Sequence, residues 1–116
     1  MRQIPIYFEN INRSALVLKP KQPFIDWIKN LDDQFEINEI IEDPDIYLLP
    51  DFEEVQQMVN WLKKNYDMIF IDQMNNWYTD ETLWVTNRTF KLFKEWFDFS
   101  LHTMILDTVE QSIKKL

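Results

Sequence analysis

The sequence predicts a single compact α/β or α+β domain, with a small three- to four-stranded sheet covered by about four helices in the order β-α-β-α-α-α-β. Three observations carry that expectation: short apolar runs closed by prolines, apolar residues recurring at every third or fourth position, and a switch to strict alternation near the carboxyl end. At 116 residues the chain is long enough for one hydrophobic core and too short for two.

Taken in order, Ile4, Ile6 and Phe8 alternate over residues 4–8, where Pro5 confines a strand to an edge or a strand start. Residues 14–18, Ser-Ala-Leu-Val-Leu, read as the first core strand, stopped by Lys19-Pro20. Pro23 suits the first turn of a helix over 22–31, whose apolar stripe is Phe24, Trp27, Ile28 and Leu31. Residues 32–45 hold seven acidic side chains and end in Asp43-Pro44-Asp45, which predicts an irregular acidic connection. Residues 46–49 form the second strand, ended by Pro50. Asp51 followed by Glu54 has the spacing of a reciprocal cap and opens a helix with the stripe Phe52, Val55, Met58, Val59, Leu62 and Tyr66. Trp61 lies outside that stripe and faces another helix or solvent.

A straight continuation would turn Met68 and Ile71 to the polar side, so a break is expected near residues 65–67, with asparagine as terminator, before a second helix over about 67–77, although the run Met68 to Ile71 alone could equally be a strand. Residues 78–86 read as a loop. Thr86 or Asn87 then caps a helix through residue 97, with Thr89, Phe90, Phe93, Trp96 and Phe97 on its apolar side. Residues 98–107 alternate as a last core strand: Phe99, Leu101, Thr103 and Ile105 on one face, Ser100, His102, Met104 and Leu106 on the other. Asp107 or Thr108 is placed to cap a short terminal helix.

Three counts narrow the chemistry: no glycine, no cysteine and one histidine. Without glycine neither a phosphate-cradling loop nor a dinucleotide fingerprint can form, because both bring backbone against phosphate where a Cβ would collide. Without cysteine there are no disulfides, thiolate metal sites or cysteine nucleophiles, and a lone imidazole excludes sites built on two. No cofactor is expected. The longest apolar runs are four residues, against the ~20 needed to span a bilayer. With no leader-like amino terminus, a cytoplasmic location without membrane contact is the expectation.

Net charge is −8, concentrated in residues 26–81, which carry fifteen acidic and three basic residues. That sign disfavours nucleic-acid binding, which needs cations against phosphate, and favours a cationic protein partner; it also keeps an aromatic-rich chain soluble.

The lone His102 shares a strand face with Asp98 and Ser100. Side chains two apart on a strand stand roughly 6.6–7 Å apart, so the three are not expected to close into a proton relay. Residues 42–45 offer oxygen ligands but no central glycine for a calcium loop, and a solvated acidic turn is the simpler reading. The most distinctive local composition is residues 75–84, with Trp77, Tyr78, Asp80, Glu81 and Trp84 among amides and hydroxyls. Such a loop could stack on a sugar or surround a cation; the simpler reading is that its rings pin a long connection onto the core. Trp61 and Trp84 are the aromatics expected nearest the surface, which would suit a partner patch or a homodimer.

The run from Ser14 to Phe24 with Trp27, then Tyr47-Leu48-Leu49-Pro50, then Trp84 with Arg88-Thr89-Phe90, Phe93 and Trp96-Phe97, resembles an uncharacterised family of small bacterial proteins. The resemblance covers most of the chain and rests on structural residues. It implies a bacterial cytosolic domain and transfers no activity, ligand or site residue.

The expected function is therefore a non-catalytic acidic binding or accessory domain acting through protein contacts. The alternative is a carboxylate-based, metal-independent enzyme or a small-ligand or sugar binder using residues 75–84.

Overall fold

The central element is a strand with little polar surface. In the computed structural model, which describes residues 11–109 and 111–113, Ser14–Pro20 forms β1, and Ser14, Ala15, Leu16 and Leu18 are all buried. Both of its edges are paired antiparallel, to β2 (Asp45–Leu49) on one side and β3 (Phe97–His102) on the other, giving the order β2-β1-β3. The helices are α1 (Gln22–Leu31), α2 (Ile37–Ile41), α3 (Val55–Asn75) and α4 (Phe90–Trp96). The fold is thus a single α+β domain, four helices with a three-stranded antiparallel sheet, in the order β1-α1-α2-β2-α3-α4-β3.

Register divides the sheet into two unlike faces. Directly opposed residues of an antiparallel pair share a face. Leu16, Leu18, Leu49 and Phe97 point to the core, beneath the helices. The other face carries Ala15, Val17 and Lys19 on β1, Ile46 and Leu48 on β2, and Asp98, Ser100 and His102 on β3. It is largely exposed: Ile46 keeps 64% and Leu48 49% of its surface in water.

The core is built on rings. Phe97 ends α4 and begins β3, and its ring lies 4.7 Å from Phe24 of α1, 5.4 Å from Phe70 of α3 and 5.2 Å from Phe93 of α4. The pair with Phe70 is nearly perpendicular, the arrangement that sets a positive ring edge against a negative face. These four rings are buried, and Trp27, Tyr66 and Trp96 pack around them.

Helix α1 matches the predicted bounds, although Ile25 is buried and Leu31 is 40% exposed. The connection over 32–45 is not wholly irregular: it contains α2, which buries Ile40. The third helix starts later than Asp51. Its cap is Glu54, whose box partner is Gln57, and Gln57 Oε1 accepts from the amides of Glu53 and Glu54, both at 3.1 Å. A Glu-Gln pair closes the same two-way bond that Asp51 and Glu54 would have, one turn further on.

Nor does this helix break at 65–67. It runs for 21 residues, leaving Met68 59% exposed and Ile71 half-buried, as helical geometry requires. A break would expose a set of unpaired backbone groups at two new termini, with no glycine to close either, whereas an exposed methionine forgoes only about 1.5–3 kcal/mol of burial. The left-handed residue appears elsewhere: Asn87, at φ 55°, takes the conformation a glycine would otherwise supply. The cap of α4 follows at Thr89 rather than Thr86 or Asn87, its side chain accepting from the Leu92 amide at 3.0 Å.

The last strand ends at His102, where the chain bends at Thr103, although alternating exposure continues to Asp107 and Ile11 donates its amide to the Ile105 carbonyl at 2.9 Å. Asp107 caps no helix among the described residues; its carboxylate accepts from the Val109 amide in a turn. The strand expected over 4–8 lies outside the described residues.

Two substitutions test this packing. Phe70→Ala should destabilise the fold by about 3–5 kcal/mol through the cavity it leaves, and Met68→Ala by less than about 0.5 kcal/mol. Urea unfolding followed by circular dichroism measures both; comparable losses would contradict a continuous α3 that turns Met68 to water.

Candidate functional site

The loop that the sequence singles out is anchored by its aromatic residues. Tyr78 donates its hydroxyl to the Ile28 carbonyl at 2.6 Å, Trp84 Nε1 donates to the Tyr78 carbonyl at 2.7 Å, and Trp27 Nε1 donates to the Leu83 carbonyl at 3.0 Å. Each ring buries its apolar body while its polar tip satisfies a backbone acceptor. Burial, with Asp32 nearby, raises the Tyr78 pKa above its ordinary value. Asp80 caps a short 3-10 turn at Glu81–Leu83, accepting from the Thr82 hydroxyl at 2.7 Å and its amide at 3.0 Å, which together hold its carboxyl below the usual range. Glu81 is exposed. The far end of the loop is tied to α3, where Arg88 Nε bonds Asp67 at 2.6 Å and the Tyr66 hydroxyl donates to the Arg88 carbonyl at 3.1 Å.

The other sequence candidates are dispersed. Trp61 stands half-buried on α3, beside a shallow depression lined by Phe52, Gln57, Asn60 and Lys64. His102 is exposed on the open sheet face, and Ser100 Oγ lies 2.9 Å from its Nε2. Those two tips do close, contrary to the expectation from strand spacing, because the serine and imidazole lean along the strand toward each other. Asp98, also exposed, forms no hydrogen bond with either, and instead borders a cavity of about 60 Å³ with Lys19 and Ser100.

Of residues 75–84, Asn76 and Trp77 reach a sizeable concavity. A cleft of about 380 Å³ opens between α2, the start of β2 and the end of α3. Its apolar lining includes Leu18, Phe24, Ile40 and Trp77; its acidic lining is Glu39, Asp43 and Asp45. On one wall Gln73, 7% exposed, donates its amide nitrogen to Asp45 Oδ2 at 2.7 Å and to the Tyr47 hydroxyl at 2.8 Å, and that hydroxyl donates to Asp72 Oδ2 at 2.5 Å. Burial first, then the bond to Asp72, pushes the Tyr47 phenol well above its ordinary pKa of 10.0. The sequence signal for this network is a polar residue, Gln73, at a stripe position between Phe70 and Met74: a glutamine there is buried and needs partners.

Among the described residues no group of three or more acidic or imidazole side chains is disposed to hold a metal ion, and no helix is long and apolar enough to cross a membrane. The chain matches no family model, no curated protein and no solved structure.

The two raised phenols fix a pH dependence. In the unfolded chain a phenol ionises near 10.0, while the folded protein retains the Tyr47 and Tyr78 protons, so stability is full below that pH and falls as pH rises above it. Urea midpoints measured through this range should decline, and Tyr47→Phe should make the decline shallower; an unaltered slope would refute the buried-phenol assignment.

Proposed function

We propose that this chain is a non-catalytic acidic interaction domain whose open sheet face docks a basic protein partner. The observation that carries the reading is the side-by-side exposure of Ile46 and Leu48 on that face, next to the half-buried Val17. A scattered exposed leucine requires no explanation, but adjacent aliphatic side chains on an uncovered sheet form the kind of patch that association buries. Met104 and Leu106, 65% and 53% exposed, extend the apolar surface beyond β3.

Charge selects the partner. A second copy would bring another −8 toward a chain already at −8, whereas a partner with basic residues around an apolar centre meets a net charge of opposite sign; on the face itself Asp98 stands opposite Lys19. A cytoplasmic setting is part of this reading, supported by a composition without cysteine, since small secreted domains commonly depend on disulfides.

The test pairs two measurements. Light scattering over a wide concentration range should show a monomer in both the wild type and the Ile46→Lys/Leu48→Lys variant. A partner captured by the wild type, identified and purified, should bind the variant at least roughly tenfold more weakly, a loss of about 1.4 kcal/mol, and bind Trp61→Ala unchanged. Equal affinity for the double variant would overturn the proposal, and a wild-type dimer dissolved by the double substitution would assign the face to a second copy.

A further inference from the structure

Two long connections of this fold are held down by different forces. Residues 78–89, between α3 and α4, are tied to α1 by hydrogen bonds of Tyr78 and Trp27 and to α3 by Arg88. Residues 33–43, between α1 and β2, have no such ties. Beyond the bond from the Gln34 amide to the adjoining Asp32 carboxylate at 3.0 Å, no hydrogen bond joins this segment to any other described residue.

Apolar contact alone seats it. Ile40 is 8% exposed, and the Phe35 ring meets Trp77 nearly edge-on with centroids 5.1 Å apart, whereas Ile37 and Ile41 are exposed. Helix α2, inside the segment, is five residues long and has no side-chain cap at its start. Isolated helices shorter than ~12–15 residues are marginal in water, so α2 lasts only while Ile40 is seated.

Charge opposes the seating. The segment carries five carboxylates, Asp33, Glu36, Glu39, Glu42 and Asp43, and no lysine or arginine. None of the five is paired with a cation among the described residues. Like charges one helical turn apart destabilise the turn, and Glu42 and Asp43 stand at the carbonyl end of α2, where the backbone dipole adds to the repulsion. The two ends of the segment are fixed, by contrast. The Asp32 amide donates to the Ile28 carbonyl at 3.1 Å, and Asp45 is paired with Leu18 and accepts from Gln73 at 2.7 Å.

We infer that residues 33–43 form a strap, hinged at Asp32 and Pro44, that lifts as one unit from an otherwise folded domain and uncovers the apolar wall of the cleft beside α2. Glu39, Ile40 and Asp43 are the strap's side of that cleft, and the buried Leu18 and Phe24 lie on the other. Lifting gives up one buried aliphatic side chain and one ring contact, while the sheet ladders and the rings around Phe97 stay in place. A unit with few buried contacts and no outward hydrogen bonds opens far below the cost of global unfolding.

Native-state hydrogen exchange of the whole chain in low urea tests the inference. The amides of Glu39, Ile40 and Ile41 should exchange through one shared opening, at least roughly a hundredfold more often than those of Leu62 and Phe70 in α3, and with a weaker urea dependence because less surface is exposed. Protection equal to that of α3, three unrelated opening levels, or no protection at all would each overturn it. Because the chain has no cysteine, a single introduced thiol reports access directly. Ile40→Cys and Leu18→Cys should react with a thiol reagent at the strap's opening rate, and Leu62→Cys only on global unfolding, each judged against that variant's own urea transition. A Leu18→Cys thiol that reacts only on global unfolding would refute the uncovering of the wall. Glu42→Gln/Asp43→Asn should slow exchange of the α2 amides at least about twofold, and unchanged or faster exchange would remove charge as the opposing force. None of these readouts involves Ile46 or Leu48, so the strap and the docking face are tested separately.

Discussion

Everything in this fold is held to the point where α4 becomes β3 without a connecting loop. Phe97 is both the C-cap of the helix and the first residue of the strand, and its ring touches rings from α1, α3 and α4. A helix leaving its axis directly into a paired strand has almost no orientational freedom, so α4 is fixed relative to β1 by covalent continuity as well as by packing. The Lys21 amide bonds to the Trp96 carbonyl at 2.8 Å and Lys21 Nζ to the Lys94 carbonyl at 2.9 Å, so the start of α1 satisfies the carbonyls that α4 leaves free. The junction therefore positions α1 and α4 together over the core side of the sheet.

That arrangement explains which parts of the molecule were legible in the sequence. The first core strand and the bounds of α1 follow from local chemistry: an apolar run with a proline stop, and a proline in the first helical turn. The uninterrupted α3 does not. Its apolar stripe drifts, and local reasoning repairs the drift with a break, whereas tertiary packing of Ile69, Phe70 and Met74 under the aromatic cluster keeps the helix intact and leaves Met68 in water. Caps moved by a turn for a related reason. Several acidic, amide and hydroxyl residues near each helix start can close the bond, and the one that does so is set by where the helix must begin packing.

The candidate site was legible in its parts and hidden in its assembly. Residues 75–84 were distinctive in composition, yet Tyr78 and Trp84 direct their polar atoms to backbone carbonyls, and of the segment Asn76 and Trp77 reach the cleft. The acids that join it lie more than thirty residues earlier, on α2 and at the start of β2, and nothing in their spacing refers to Trp77. Gln73 is the exception. A polar residue in an apolar helical stripe marks a buried network wherever it occurs, although its partners, Asp45 and Tyr47, become visible only once β2 lies against α3.

Acidity and the open sheet face belong to one physical problem. β2 is an edge strand among the described residues, carrying exposed Ile46 and Leu48, and such an edge invites pairing with another chain. The strand is only five residues long and lies between Pro44 and Pro50, which cannot donate backbone hydrogen bonds and so limit how far a new ladder can grow. A net charge of −8 acts over a longer range, repelling identical chains before the apolar residues meet, while leaving the approach of a basic surface favourable. An apolar patch on a chain of this net charge is thereby guarded against its own copies by long-range repulsion, a barrier that a surface of opposite sign would not meet.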